Sequence, residues 1–83
     1  MDAFGICIHP YVPIRAEASE GSEMISQLVF GEVYSILDVN NHWLNIRTDF
    51  DSYKGWINRS QSLLISKKAF LEYREADNIC FQP

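Results

Sequence analysis

The chain has 83 residues, 47% hydrophobic and 13% aromatic, with a net charge of −4, which implies one domain with a real core and excludes a disordered segment. The negative balance disfavours nucleic acid and anionic membrane surfaces, since both are held by Lys and Arg. No apolar run is long enough to span a bilayer, so neither nucleic acid nor membrane is an expected partner.

Phe4, Ile6 and Ile8 alternate with Gly5, Cys7 and His9, a period of two that predicts a first strand. Pro10 and Pro13 keep the chain extended but interrupt a central ladder, so this strand is expected to end near an edge or to bend. The chain then turns polar: Arg15, Glu17, Ser19, Glu20, Ser22 and Glu23 crowd into nine residues with one glycine, Gly21. A polar arm of this length between strands suggests a functional loop carried on a scaffold. Gln27 to Phe30 predicts the next strand, closed by Gly31.

Val33 to Val39 is rich in β-branched and aromatic residues, and Asn40-Asn41 after it suits a tight turn because Asn tolerates left-handed backbone. Trp43 to Thr48 then alternates, with Leu44 and Ile46 inward and Trp43, Asn45 and Arg47 outward. The D-F-D-S segment is a second turn, and Tyr53 to Asn58 the following strand, with Gly55 at a bulge or a close backbone approach. Leu63 to Ile65 is a short strand able to close the sheet. Ser66 is placed to cap a helix over K-K-A-F-L-E-Y-R-E, although Ala69 stands where a capping box has Glu or Gln; Phe70 and Tyr73 share one face. There is no internal repeat. Five or six short strands with tight turns predict an all-β domain, a small antiparallel barrel or sandwich over residues 1–65, with a helical tail or linker over 66–83.

Two cysteines, Cys7 and Cys80, make no disulfide framework and are read as reduced thiols packed as small hydrophobes. Cys7, His9, His42 and Cys80 match no common zinc spacing, so no metal and no cofactor is expected. The N-terminal M-D-A-F-G-I-C-I-H lacks the basic and apolar regions of a signal peptide; if Met1 is the native start, the expected compartment is the cytoplasm.

The run R-A-E-A-S-E-G-S-E-M-I-S-Q-L-V-F-G-E from Arg15 to Glu32, a tryptophan opening an alternating strand at Trp43, and Y-K-G-W-I from Tyr53 to Ile57 occur here in that order. Within the first run Arg15 stands four before Ser19, and Gln27 four before Gly31. This set resembles a bacterial SH3 domain, and more narrowly the first such domain of NlpC-type cysteine peptidases that cut peptidoglycan peptides. The resemblance covers about Phe4 to Gln61 and implies an SH3-like barrel. The tail S-K-K-A-F-L-E-Y is similar to the connector that leads in that family to a second SH3-like domain and then the cysteine peptidase domain, the partners expected in the same chain. The family's Asp-Cys-Ser-Gly nucleophile segment and its two later histidines are missing. Cys7 in I-C-I and Cys80 in I-C-F lack the small-residue turn or helix N-terminus that activates a thiolate. The resemblance therefore implies a non-catalytic accessory domain. Its parent would cleave after γ-D-glutamyl in murein-derived peptides with a free N-terminal L-Ala.

Read from the residues alone, the arm's carboxylates are either a wall for a cationic group or a solvated loop. The resemblance implies the first for one of them: a Glu of the Ser-Glu pair, here Ser22-Glu23, and the Tyr of Tyr-x-Gly-Trp, here Tyr53, line the substrate's amino end. The candidate ligand-binding residues are Glu23, Tyr53, Arg15, Ser22 and Trp43. Trp43, Trp56, Tyr34, Tyr53 and Phe50 could also form an aromatic groove of the kind that reads polyproline peptides, or the tryptophans could be barrel packing, the reading favoured for Trp56. A P-x-x-P-x-R run at Pro10, Pro13 and Arg15 would act as a ligand only if exposed and disordered. The rival function is a stand-alone module that docks a cell-wall crossbridge or a protein partner.

Overall fold

The computed structural model describes residues 3–49 and 52–80, with side chains to residue 75. Seven strands form one antiparallel sheet: β1 (Ala3–Ile6), β2 (Tyr11–Arg15), β3 (Met24–Val29), β4 (Val33–Asn40), β5 (Trp43–Thr48), β6 (Lys54–Asn58) and β7 (Leu63–Ile65). They lie in the order β3-β2-β6-β5-β4-β1-β7. A single 3-10 turn, Arg59–Gln61, joins β6 to β7, and the helix α1 (Lys67–Cys80) follows.

The strand beyond the expected five or six is β2. Pro10 stands just before it, and Pro13 is tolerated within it because β2 bonds along its length only to β3 and meets β6 at one position, Arg15 opposite Trp56. Val12 and Ile14 point inward and are fully buried, so Tyr11, Pro13 and Arg15 stand on the outer face. The hairpin β4–β5 forms as expected, but Asn40 pairs with Trp43, so the turn is Asn41-His42, one residue later. Asn41 carries its left-handed backbone, φ 56°.

Sheet curvature gathers one side chain from every second position into the main core: Cys7, Val12, Ile14, Leu28, Tyr34, Ile36, Leu44, Ile46 and Ile57. Each deeply buried aliphatic residue removes about 1.5–3 kcal/mol worth of apolar surface from water. On β1 the Gly5 and Cys7 face is the inner one. At Gly5 a Cβ would stand 2.5 Å from the Tyr34 ring, so only glycine lets that ring lie across the strand. The opposite face of β1 is covered too. Phe4 and Ile6 pack with Val33, Ile65 and Phe70 of α1, and the Phe4 and Phe70 rings stack at 4.3 Å. Ser66 caps α1 through Ala69 N–H, 3.1 Å. Of the pair expected on one helix face, Phe70 docks and Tyr73 stays exposed.

Trp56 is not core. Gly55 and Ile57 are the inward residues of β6, and Trp56 lies on the outer face, half-buried, between Arg15 and Asn45 of the neighbouring strands. Phe50 and the side chain of Cys80 fall outside the described residues, and with them part of the D-F-D-S turn and any statement on the two cysteines as a pair. Among the described residues no three His, Cys, Asp or Glu side chains cluster to hold a metal ion. Among the described residues no helix is long and apolar enough to cross a membrane.

Candidate functional site

Two places on this scaffold gather polar side chains, one at each end of β6. They share the arm, residues 16–23, whose conformation is set by its own hydrogen bonds. Ala16 N–H donates to the Glu23 carbonyl at 2.9 Å and closes the base of the arm. Glu17 N–H donates to Ser22 Oγ at 2.8 Å, and Ser22 N–H to the Ser19 carbonyl at 3.1 Å. Arg15 Nη1 donates to the Ser22 carbonyl at 3.0 Å. Arg15 and Ser22 thus build the arm, a role that polar crowding in the sequence announces without specifying.

The first place is the arm base. Arg15 faces Trp56, so antiparallel pairing carries Ala16 past Gly55 toward the start of β6. Gly55 permits this: a Cβ there would collide with Ile14 and stand 3.0 Å from the Arg15 carbonyl. A bulge on β3, where Ile14 faces Ser26 and Arg15 faces Met24, leaves Ile25 over and turns it against the core beside Gly55. Glu23 and Tyr53 therefore lie at the same end of the sheet. Tyr53 is held by its backbone, accepting from Thr48 N–H at 2.8 Å and donating to Thr48 Oγ1 at 2.8 Å. Tyr53 is 44% exposed and Glu23 is exposed. Among the described residues neither the Glu23 carboxylate nor the Tyr53 hydroxyl has a hydrogen-bond or ion-pair partner.

The second place is a groove of about 350 Å³ at the other end of β6. Its walls are Tyr11, Pro13 and Arg15 of β2, Glu20 of the arm, Trp43 of β5, and Asn58, Ser60 and Gln61. It continues past Trp43 to His42 and Arg59. Asn58 caps the 3-10 turn: its Oδ1 accepts Ser60 N–H at 3.0 Å and Ser60 Oγ at 2.8 Å. That fixes the amide, so Nδ2 donates across the groove to Glu20 Oε1 at 3.3 Å. Arg59 N–H donates to the His42 carbonyl at 2.7 Å and ties the β4–β5 turn to the same end.

Of the expected ligand residues, Arg15 and Trp43 line the groove, Glu23 and Tyr53 lie at the opposite end of the sheet, and Ser22 holds the arm. The aromatic groove is not the set read from sequence. Tyr34 is fully buried, Tyr53 lies at the opposite end, and Trp56 is not among the lining residues; Tyr11 and Pro13 join Trp43 instead. Pro13 and Arg15 are strand residues, so their P-x-x-P-x-R run is not an exposed disordered ligand.

Tyr34 donates to or accepts from Ser62 Oγ at 2.6 Å, and burial pushes its hydroxyl up to about 12. The Cys7 thiol is buried, donates to the His9 carbonyl at 3.3 Å, and is raised by burial, the opposite of an activated nucleophile.

An antiparallel sheet wound around one core, with a long arm, a hairpin turn and a 3-10 turn meeting on its outer face, defines an SH3-like barrel. A family model described as the bacterial dipeptidyl-peptidase SH3 domain matches residues 14–61, more than half of the chain, and the chain belongs to that family. It is a bacterial SH3 domain of the peptidase-associated kind, an accessory module that carries no catalytic centre of its own. The matched stretch begins inside β2, includes the whole arm and ends with the 3-10 turn, so Tyr11 and Pro13 lie outside it. No curated protein matches the chain.

Proposed function

We propose that this domain forms one wall of the substrate site of an NlpC-type cysteine endopeptidase acting on murein-derived peptides, and that Glu23 and Tyr53 read the free N-terminal amine. What supports the reading is that Glu23, at the base of the arm, and Tyr53, just before β6, lie at the same end of the sheet and are both exposed. The backbone around both is fixed, and neither polar tip is consumed by the described residues. A carboxylate beside an ammonium, with a phenol oxygen as second acceptor, is the chemistry an N-terminus requires. Uncommitted groups of this kind suit a surface completed by a second domain, which the chain beyond α1 would supply. The peptide would then be clamped between the arm base and the catalytic domain, and an N-blocked peptide would leave Glu23 desolvated and unpaired.

In the intact peptidase Glu23→Gln should lower kcat/KM for a free-amine L-Ala-γ-D-Glu-diamino acid peptide about ten- to a hundredfold, the worth of one charge-assisted hydrogen bond of about 1.5–3 kcal/mol. An unchanged kcat/KM would remove Glu23 from the site.

A further inference from the structure

The turn between β5 and β6 presents Tyr53, and its backbone is strained. Ser52, just before Tyr53, holds a left-handed φ of 56° without being glycine. Such a conformation persists only where its surroundings hold it. From the barrel side the hold is the buried Thr48: its N–H donates to the Tyr53 carbonyl and its Oγ1 accepts Tyr53 N–H, each at 2.8 Å. From the outside the hold is α1, which lies beyond the stretch that the family model matches.

Two contacts carry that outer hold, and both converge on Asp49, the residue after Thr48. Arg74 Nε stands 3.3 Å from Asp49 Oδ2. Asp49 N–H donates to the Val33 carbonyl at 3.3 Å, and the Val33 side chain belongs to the cluster that buries Phe70 of α1. Phe70 is fixed by its stack on Phe4, and the start of the helix by the Ser66 cap. Arg74 is one turn on from Phe70, on the same side of the helix, so docking the phenylalanine carries the guanidinium to the β5–β6 turn. The Asp49 side chain is only 25% exposed. The pair therefore joins two elements whose backbones are already set, and little ordering entropy is spent in making it.

We propose that Asp49 and Arg74 are positioning residues: through them α1 holds the β5–β6 turn and so sets Tyr53 at the arm base. The inference rests on the reading of Tyr53 as part of the amine site. Neither Asp49 nor Arg74 touches the peptide; each acts through the turn.

The test has two arms. In the 83-residue chain, Arg74→Met keeps the apolar stem and removes the charge. Amide exchange at Thr48 and Tyr53 should rise about two- to fivefold, the range of a partly exposed ion pair. Exchange at Ser22 and Gly31, whose bonds lie in other loops, should not change. Asp49→Asn should act alike, and the double variant should go no further than the stronger single one, because both remove one interaction. In the intact peptidase Arg74→Met should lower kcat/KM for the free-amine peptide about two- to fivefold and leave the N-acetylated peptide unchanged, a selectivity that general destabilisation would not produce. The proposal is overturned if exchange at Thr48 and Tyr53 does not rise, if it rises equally at Ser22 and Gly31, or if both peptides lose equally. Tyr53→Phe tells this apart from failure of the amine reading. If it costs nothing, the reading of Tyr53 fails and the positioning role falls with it; if it lowers kcat/KM while Arg74→Met does not, the positioning role alone is overturned.

Discussion

The two ends of β6 present the same kinds of group in opposite states. At the arm base the backbone is pinned on both sides of the site, while the carboxylate of Glu23 and the phenol of Tyr53 are left without partners among the described residues. At the groove end two side chains are pre-set, Asn58 by its cap and Arg15 by the Ser22 carbonyl, while the exposed Glu20 is held only at 3.3 Å and 3.9 Å from them. A site whose polar tips are uncommitted gains from a second surface that buries them. A site whose tips are already oriented needs only its ligand, because the ordering entropy was spent on folding. The arm between the two ends is the element that both depend on.

The largest way to break this comparison is at Gly55, which lets the arm base settle against β6. Gly55→Val drives a side chain into Ile14 and the Arg15 carbonyl and should cost about 3 kcal/mol, the upper range for overpacking. Urea unfolding should show it, and amide exchange at Ala16 should accelerate more than exchange along the 3-10 turn. A midpoint shift equivalent to a few tenths of a kcal/mol would mean that the β2–β6 seam is looser than drawn.

A slightly smaller effect concerns the groove end. Tyr34 anchors Ser62, just beyond the 3-10 turn, and its hydroxyl titrates at about 12 in the fold against an ordinary value of 10, because burial disfavours the phenolate. The folded state therefore holds this proton more tightly than the unfolded chain. The stability it supports is complete below pH 10 and is lost as pH rises from 10 through 12, by roughly 2–3 kcal/mol. Tyr34→Phe should cost about 1 kcal/mol at neutral pH and flatten that alkaline decline. Equal alkaline slopes in the two proteins would assign the decline elsewhere, the buried Cys7 thiol being the next group whose proton burial retains.

The smallest effect sharpens the role of the arm. Ser22→Ala removes the acceptor of Glu17 N–H, and since that bond is exposed water replaces much of it, at a cost of about 0.5–1 kcal/mol. The global midpoint should barely move while exchange at Glu17 rises. If Glu17 exchange is unchanged, the arm does not owe its shape to Ser22.

Much of the barrel was legible because its strands obey a simple period. Trp43–Thr48 and Leu63–Ile65 were read at their observed bounds, and Leu44 and Ile46 do face the core. β2 does not show in the pattern because Pro10 and Pro13 read as breakers; Pro10 stands before the strand, and one-sided pairing makes Pro13 harmless within it. Trp56 was assigned to packing by residue type, yet its parity with Gly55 and Ile57 sets it on the outer face. The groove was only half legible. Trp43 stood out as an outward aromatic, whereas Tyr11, Pro13 and Asn58 become neighbours through strand pairing that local sequence does not encode. The signal that could have found two of them was the Tyr11-Val12-Pro13-Ile14-Arg15 alternation, whose inward members are plain hydrophobes. Glu23 and Tyr53 came from family resemblance, and the convergence of their strand ends rests on Gly55 and the Ile25 bulge.

The account turns on whether the arm base reads an amine. The most direct measurement is a double cycle in the intact peptidase, Glu23→Gln against N-acetylation of the substrate, scored by kcat/KM. If Glu23 pairs with the ammonium, either change alone should cost about ten- to a hundredfold, and the two together little more than one, because each removes the same interaction. Fully additive penalties would contradict the account and return the acidic arm to the status of a solvated loop.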